Sequence, residues 1–117
     1  MKKLIIFLLS TFISFNVLST DIDYIHYKKD PSRFDDYVRG LESGVSWSYL
    51  YSLENGSAVK VYCQPESLIL TLENTHNIIQ NGTKYFMDKQ GNTQSEVDEM
   101  SVGMIYLFGL MTTFPCN

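Results

Sequence analysis

The chain has 117 residues, of which 44% are hydrophobic and 19% are charged, and this length suits one small domain with a single core. Thirteen acidic residues outnumber nine basic ones, for a formal net charge of −4. Nucleic-acid-binding proteins concentrate Lys and Arg to neutralise phosphates, so the acidic excess argues against that class.

The first residues predict a cleavable signal peptide. Met1-Lys2-Lys3 is basic, and the apolar run from Leu4 to Phe15 is short for a permanent membrane anchor. We expect cleavage after Ser19, or alternatively after Thr20, which leaves residues 20–117 as one mature domain. Seven basic residues then remain against thirteen acidic ones, so the net charge becomes −6. A cytosolic protein with a buried N-terminal helix is the alternative.

The two cysteines predict one disulfide. An exported chain enters an oxidising compartment, where Cys63 and Cys116 are expected to pair. In the chain-entropy relation, closing a loop of this size stabilises a fold by roughly 4 kcal/mol. The alternative is a cysteine nucleophile with His26 or His76 as its base, which requires a free thiolate that this compartment tends to consume.

A first long helix is predicted to begin at Asp30-Pro31-Ser32, because Pro is accepted in the first helical turn and Ser32 can act as a cap. Residues 20–30 form a loose leader with room for one helical turn. Asn55-Gly56 predicts the end of the helix. Apolar side chains at spacings of three and four predict one buried face. They are Phe34, Tyr37, Val38, Leu41, Val45 and Tyr49.

Gly40 and Gly44 lie four residues apart beside this stripe. Each glycine costs about 1 kcal/mol inside a helix, so we expect another helix to approach closely there and to offset the cost. Both are predicted as helix-packing positions. Trp47, Tyr49 and Tyr51 are predicted in the core, with an interface role as the alternative, because Trp and Tyr often anchor interfaces.

Two more helices are predicted after a short extended connector, residues 57–62. Pro65 fits a first helical turn, so the second helix is expected from Pro65 to Met87, continuing through a weak point at Gly82. A helix that ends after Asn81 is the alternative. A turn follows at residues 90–92, and a capping box at residues 93–96 starts a third helix that ends near Phe114. Its apolar face is predicted to be core, or else an adaptable binding surface, because Met repacks readily. That face consists of Val97, Met100, Met104, Leu107 and Met111.

These elements predict an all-α fold, a small bundle of three to four helices. The expected disulfide joins the start of the second helix to the end of the third. It therefore staples a C-terminal helical hairpin and leaves the intervening turn at the far end.

Motifs for chemistry are missing from the sequence. It has no HExxH, no glycine-rich phosphate loop, no CxxC and no nucleophile elbow. Asp35-Asp36 and Asp98-Glu99 are adjacent pairs, which point in different directions on a helix and are predicted to be solvated. His26 and His76 have no metal-ligand spacing around them. We therefore predict no catalytic residue, no metal and no cofactor, and hence a protein that is not an enzyme.

Several segments together resemble the Rap/Tai family of periplasmic immunity proteins. Beyond the signal peptide, these are Tyr37-Val38-Arg39-Gly40 with Gly44, then residues 62–67 (YCQPES), and the closing Phe114-Pro115-Cys116. The resemblance covers the mature chain. It implies a helical, dimeric periplasmic protein that blocks the active-site cleft of a type VI secreted peptidoglycan amidase and so protects the producing cell and its kin.

The resemblance also implies where the partner binds. In the family, the connection before the last helix projects into the amidase cleft, and it corresponds here to residues 88–93. The predicted contact residues are Tyr85, Asp88, Lys89, Gln90, Gly91, Asn92, Thr93 and Glu96. Acidic residues nearby, Glu96, Asp98 and Glu99, are expected to steer the encounter with a basic partner. These contact residues match no family motif, so they rest on position in the hairpin.

A small periplasmic acid-stress chaperone is the alternative function. Proteins of that kind are also helical, exported and held by one disulfide. This alternative requires a fold that opens at low pH and binds many clients.

Overall fold

Five α-helices and one short 3-10 helix make up the fold of the residues that the computed structural model describes, which are 22–54, 56, 60–65 and 67–117. The predicted signal peptide and its cleavage site lie outside the described residues, as do positions 57–59 of the predicted connector. The helices are α1 (Tyr24–Lys29), the 3-10 helix (Pro31–Phe34), α2 (Asp35–Glu54), α3 (Leu72–Asp88), α4 (Gln94–Asp98) and α5 (Val102–Thr113).

Helix α2 confirms the first predicted helix. Pro31 opens the preceding 3-10 turn, and Asp35 and Asp36 stand in the first turn of α2, where negative charge suits the helix dipole. Gly56 follows the helix at φ 64°. The predicted cap is wrong, because the Ser32 hydroxyl donates to the Asp30 carboxylate (2.9 Å). The predicted stripe does face the core: Val38 is fully buried and the other five side chains pack against the core partly buried.

The side chains of Trp47 and Tyr51 were predicted in the core, but the structure places both at the surface. Trp47 is 73% exposed and Tyr51 is 69% exposed, because both lie on the side of α2 that faces away from the other helices. Tyr49 behaves as predicted, since its ring stacks on the buried Tyr62 with centroids 4.6 Å apart. Of the three aromatic residues, the structure therefore assigns one to the core and two to the surface.

Helix α3 begins at Leu72 rather than at Pro65. Its N-terminus is set by Thr71, whose hydroxyl accepts from the Asn74 backbone N–H while the Asn74 side chain accepts from the Thr71 N–H. Residues 60–65 and 67–70 before it are not helical, and within them the Cys63 N–H donates to the Phe114 carbonyl (2.8 Å). The helix does continue through Gly82, as predicted, and ends at Asp88.

Helices α3 and α5 form the closest helix pair of the described chain, and two glycines make it possible. A Cβ on Gly82 would lie 2.0 Å from the Ile105 carbonyl oxygen, and one on Gly109 would lie 2.0 Å from that of Ile78. The residue order of these contacts shows that the helices are antiparallel. Among the described residues, no atom outside α2 lies within 4 Å of a Cβ at Gly40 or Gly44, so no described helix packs there.

The predicted third helix is interrupted. It is divided into α4 and α5 because the residues between these two helices pair with residues 22–24. The Tyr24 N–H donates to the Met100 carbonyl (2.9 Å), and the Val102 N–H donates to the Ile22 carbonyl (2.8 Å). Ser101 caps α5. The break shifts the buried face, which becomes Val102, Ile105, Tyr106, Gly109 and Leu110. The predicted methionine face is therefore only partly core, with Met104 40% exposed.

The Cys63–Cys116 disulfide is present, with 5.0 Å between the two Cα atoms. Neither sulfur is a free thiol, so the alternative of a thiol nucleophile is wrong. The bond lies at the end of α5, while α3 carries the chain about 25 Å away from it over 17 residues. The structure confirms an all-α fold with a stapled C-terminal hairpin. No helix in the described ranges is long and apolar enough to cross a membrane.

Candidate functional site

The turn between α3 and α4, residues 89–93, is held by hydrogen bonds to the last turn of α3. The backbone N–H groups of Lys89 and Gln90 both donate to the Tyr85 carbonyl (2.9 and 3.3 Å), and the Asn92 N–H donates to the Phe86 carbonyl (3.0 Å). Gly91 adopts φ 71°, a left-handed backbone conformation that glycine accepts without strain. The turn is therefore ordered without any partner.

A capping box fixes the other side of the turn, as the sequence predicts. The Thr93 hydroxyl accepts from the Glu96 N–H (3.2 Å), and the Glu96 carboxylate accepts from the Thr93 N–H (3.0 Å). This backbone hydrogen bond holds the pKa of Glu96 below its usual value. Glu96 is thus negatively charged at neutral pH and presents a fixed charge beside the turn.

The eight predicted contact residues lie together at this end of the hairpin, and we refer to them as the tip surface. Six are exposed, whereas Tyr85 and Asn92 are partly buried. The Tyr85 ring stacks on Phe108 of α5 with centroids 5.4 Å apart, and its hydroxyl accepts from the Gln90 side-chain amide (2.9 Å). Tyr85 therefore connects the turn to both helices.

A groove of about 550 Å³ runs along α3 and α5 from the tip surface. Tyr85, Asp88, Lys89 and Gln90 of the tip surface line it. Met111 also lines it and belongs to the face for which a binding surface was the alternative prediction. Sequence reasoning missed the remaining lining residues, which are Asn81, Lys84, Phe108, Thr112 and Pro115. Helical periodicity carried a signal, because the α3 residues follow an i, i+3, i+4, i+7 spacing and the residues from Phe108 onward repeat it.

The acidic residues expected to steer a partner are partly engaged within the chain. Lys28 donates to both carboxylate oxygens of Asp98 (2.8 and 2.7 Å), and this hydrogen bonding lowers the pKa of Asp98. Asp98 therefore ties α4 to α1. The prediction that its side chain is simply solvated is wrong. Glu99 is exposed, as predicted. Lys84 and Lys89 balance Asp88 and Glu96, so the tip and its groove carry mixed charge.

A chain of three polar side chains joins α1, α2 and α3. The Tyr27 hydroxyl hydrogen-bonds His76 Nδ1, and His76 Nε2 lies 2.9 Å from the Asp35 carboxylate. The order of groups resembles an acid–base relay, but the Tyr27 side chain is fully buried, and burial raises its pKa to about 12. Its hydroxyl cannot reach a substrate, so these three side chains serve to pack the helices together. Asp35 is engaged here, contrary to the prediction, whereas Asp36 is exposed.

Metal-binding geometry is also missing from the described ranges, where no group of three His, Cys, Asp or Glu side chains is placed to hold an ion. The strongest candidate for function is therefore the tip surface with its groove, a place for contact with another molecule. Comparisons with protein-family models, with curated proteins and with solved structures find no match. The Rap/Tai resemblance therefore rests on the motifs quoted above.

Proposed function

We propose that this protein is a periplasmic immunity protein. In this proposal it binds a type VI secreted peptidoglycan amidase through the tip surface and blocks the active-site cleft of that enzyme. The observation that carries the proposal is the turn itself: an exposed segment, held rigid at the end of a disulfide-stapled hairpin, beside a partly apolar groove.

Rigidity of the turn supports an inhibitory role. Ordering a flexible loop on binding costs free energy, and a segment already fixed by its own hydrogen bonds avoids much of that cost. The turn has such bonds on both sides, from Tyr85 to Lys89 and Gln90 and from Thr93 to Glu96. An enzyme cleft that accepts peptides offers hydrogen-bonding groups, and the exposed polar side chains of the turn suit it.

Tyr85 provides the aromatic anchor that such an interface needs. Binding energy concentrates in a few residues, often Tyr or Trp, that are packed and then fully desolvated on binding. Tyr85 is partly buried and oriented by Phe108 and Gln90, so a partner that covers the groove would complete its burial. We expect Tyr85→Ala to weaken binding more than Lys89→Ala, because Lys89 is exposed.

The compartment proposed for this activity is the periplasm. Three features support it: the predicted signal peptide, the disulfide, which is consistent with an oxidising compartment, and the peptidoglycan substrate of the proposed partner. We also propose that the protein is a homodimer, as the resemblance implies.

The test is inhibition of a candidate amidase encoded by the neighbouring reading frame. Its product, if it is a secreted Cys and His hydrolase, is produced in a bacterial periplasm with and without this protein, and lysis is followed alongside peptidoglycan cleavage in vitro. Parent protein is expected to prevent both. Charge reversal by Asp88→Lys with Glu96→Lys, and replacement of Gly91, are expected to abolish protection.

Glu73→Lys is the matched control. Glu73 is exposed on the same helix as Asp88, about 22 Å away at the opposite end, so charge is reversed far from the tip. Protection should survive this change. Inhibition that tolerates every tip variant would place the contact surface elsewhere. Suppression of aggregation of denatured clients at acid pH, without amidase inhibition, would favour the chaperone alternative.

A further inference from the structure

Another pocket lies where α1 meets the 3-10 helix, and it shares no residue with the tip surface. Its volume is about 420 Å³, and we call it the α1 pocket. This volume lies within the range of small-ligand sites in proteins. The lining consists of two partly buried apolar side chains, Ile22 and Phe34, and four exposed polar ones, His26, Lys29, Asp30 and Arg33.

Positive charge is concentrated at the α1 pocket, although the chain as a whole carries a net charge of −4. Lys28, Lys29 and Arg33 are three of its nine basic residues and lie within six positions. The fold uses Lys28, which donates to both carboxylate oxygens of Asp98. By contrast, the side chains of Lys29 and Arg33 form no ion pair or hydrogen bond with any described residue. Two unpaired positive charges beside one pocket repel each other, so a bound anion would relieve this repulsion.

Asp30 adds a hydrogen-bond acceptor to the same pocket. The Ser32 hydroxyl donates to Asp30 Oδ1 (2.9 Å), whereas Asp30 Oδ2 accepts no hydrogen bond from the described residues. A simple anion such as phosphate would be repelled by this carboxylate. The ligand that suits the pocket therefore carries a hydrogen-bond donor next to its negative group.

The apolar side of the α1 pocket is held in place by the core. Ile22 and Phe34 both pack against the buried cluster. The Ile22 carbonyl accepts from the Val102 N–H (2.8 Å), and the Phe34 ring lies 6.3 Å from the ring of Tyr27, measured between centroids. A ligand thus meets an apolar surface that needs no ordering on binding, and an apolar group that covers it is removed from water.

We propose that the α1 pocket binds an α-amino carboxylate with an apolar side chain, the group found at the carboxyl end of a peptide. Its carboxylate matches the charges of Lys29 and Arg33, and the planar guanidinium can hold it with two parallel hydrogen bonds. Its backbone N–H matches Asp30. Its side chain covers Ile22 and Phe34.

His26 and the nature of the amino group distinguish two sources of this ligand. In a peptide, the carbonyl before the last residue can accept a hydrogen bond from the His26 imidazole, and the last amide N–H faces Asp30. In a free amino acid, an ammonium group replaces that amide and forms an ion pair with Asp30. Either source is independent of amidase inhibition, because the tip surface takes no part.

Titration of the chain without its signal peptide, followed by NMR, tests the class of ligand. N-acetyl-leucine copies a peptide end, and leucine is the free amino acid. We expect one of the two to shift the backbone amide signals of residues 22–34 in a saturable way, with a dissociation constant on the order of 1 mM for so open a pocket. The tighter of the two identifies the source. N-acetyl-leucinamide lacks the negative charge and acetate lacks the side chain, so each is expected to bind about fivefold more weakly.

Charge-removing variants test the residues assigned to the ligand. Arg33→Gln and Lys29→Gln change exposed side chains without partners in the described chain, and each is expected to raise the dissociation constant about fivefold. Arg39→Gln is the matched control, because it removes the same charge from an exposed position that does not line the pocket. Asp30→Asn should weaken the binding of leucine more than that of N-acetyl-leucine, since only leucine carries an ammonium group.

Four results would overturn the proposal. The first is the absence of saturable shifts with either probe at tens of millimolar, and the second is N-acetyl-leucinamide that binds as tightly as N-acetyl-leucine. The third is an effect of Arg33→Gln no larger than that of Arg39→Gln. The fourth is acetate that binds as tightly as either leucine probe, which would make the pocket a general anion site. Loss of amidase inhibition by tip variants has no bearing on any of these results.

Discussion

Replacing Gly109 with alanine tests how closely the two hairpin helices pack. The new Cβ would lie 2.0 Å from the Ile78 carbonyl oxygen and 3.0 Å from Ile78 Cγ2, whereas ordinary contact begins at 3.4 Å. The opposing atom belongs to the backbone, so no side-chain rotation relieves the clash. Helix α3 must retreat by more than 1 Å, which opens gaps along the whole α3–α5 contact.

The expected cost follows from these distances. Overpacking typically costs 1–3 kcal/mol, and a backbone clash belongs at about 3 kcal/mol, the upper end. Alanine offsets about 1 kcal/mol of this cost, because its helix propensity is higher than that of glycine. The free energy of unfolding should therefore fall by about 2 kcal/mol, which for a domain of this size lowers Tm by roughly 10 °C. Gly82→Ala should behave in the same way, since it meets the Ile105 carbonyl at the same distance.

Gly103→Ala is the matched control on the same helix as Gly109. Its Cβ would meet Leu41 Cδ1 at 3.7 Å, an ordinary contact, so stability should be unchanged or slightly raised. Urea unfolding followed by circular dichroism, with the disulfide intact, measures all three variants. If Gly109→Ala and Gly82→Ala are as stable as Gly103→Ala, the helices do not pack at the distance described.

Three further predictions concern stability. Replacing Cys63 and Cys116 by alanine should lower the free energy of unfolding by about 4 kcal/mol, measured by urea denaturation, because the bond closes a long loop. The pKa of Asp98 is lowered in the folded state by Lys28, so its contribution to stability is present above its ordinary value of 3.8 and is lost as the pH falls below it. In the Asp98→Asn variant, the urea midpoint should therefore fall less steeply as the pH is lowered on the acid side. The pKa of Tyr27 is raised from 10.0 to about 12, so its contribution is full below pH 10 and is lost as the pH rises toward 12. Tyr27→Phe should reduce this alkaline loss, and an unchanged slope would show that the hydroxyl is not buried.

Local signals in the sequence predicted most of the helices. The helix start near Pro31, the turn at residues 90–92 and the capping box that begins at Thr93 each depend on neighbouring residues, and each is present in the structure. The position of the tip residues at one end of the hairpin was predictable for the same reason, whereas their role in contact with a partner stays a prediction. What local signals could not supply is pairing between distant segments.

Long-range contacts explain the errors. The hydrogen bond between Cys63 and Phe114 ties the chain just before Pro65 to the end of α5, and α3 begins only at Leu72. Pairing of Met100 with Tyr24 divides the third helix. That division moves the buried face of α5, so the groove residue Phe108 was not recognised beside the tip. Trp47 was expected in the core because its residue type suggests burial, but none of the described elements covers it.

The pairing of residues 22–24 with residues 100–102 has a consequence for the order of folding. These hydrogen bonds join the start of the described chain to its last quarter, and long-range contacts of this kind form late in folding because loop closure must come first. The fold cannot be completed until nearly all of the chain has been synthesised. If the predicted signal peptide directs export, a chain with these properties stays unfolded until it has passed the membrane, which is the state that such export requires.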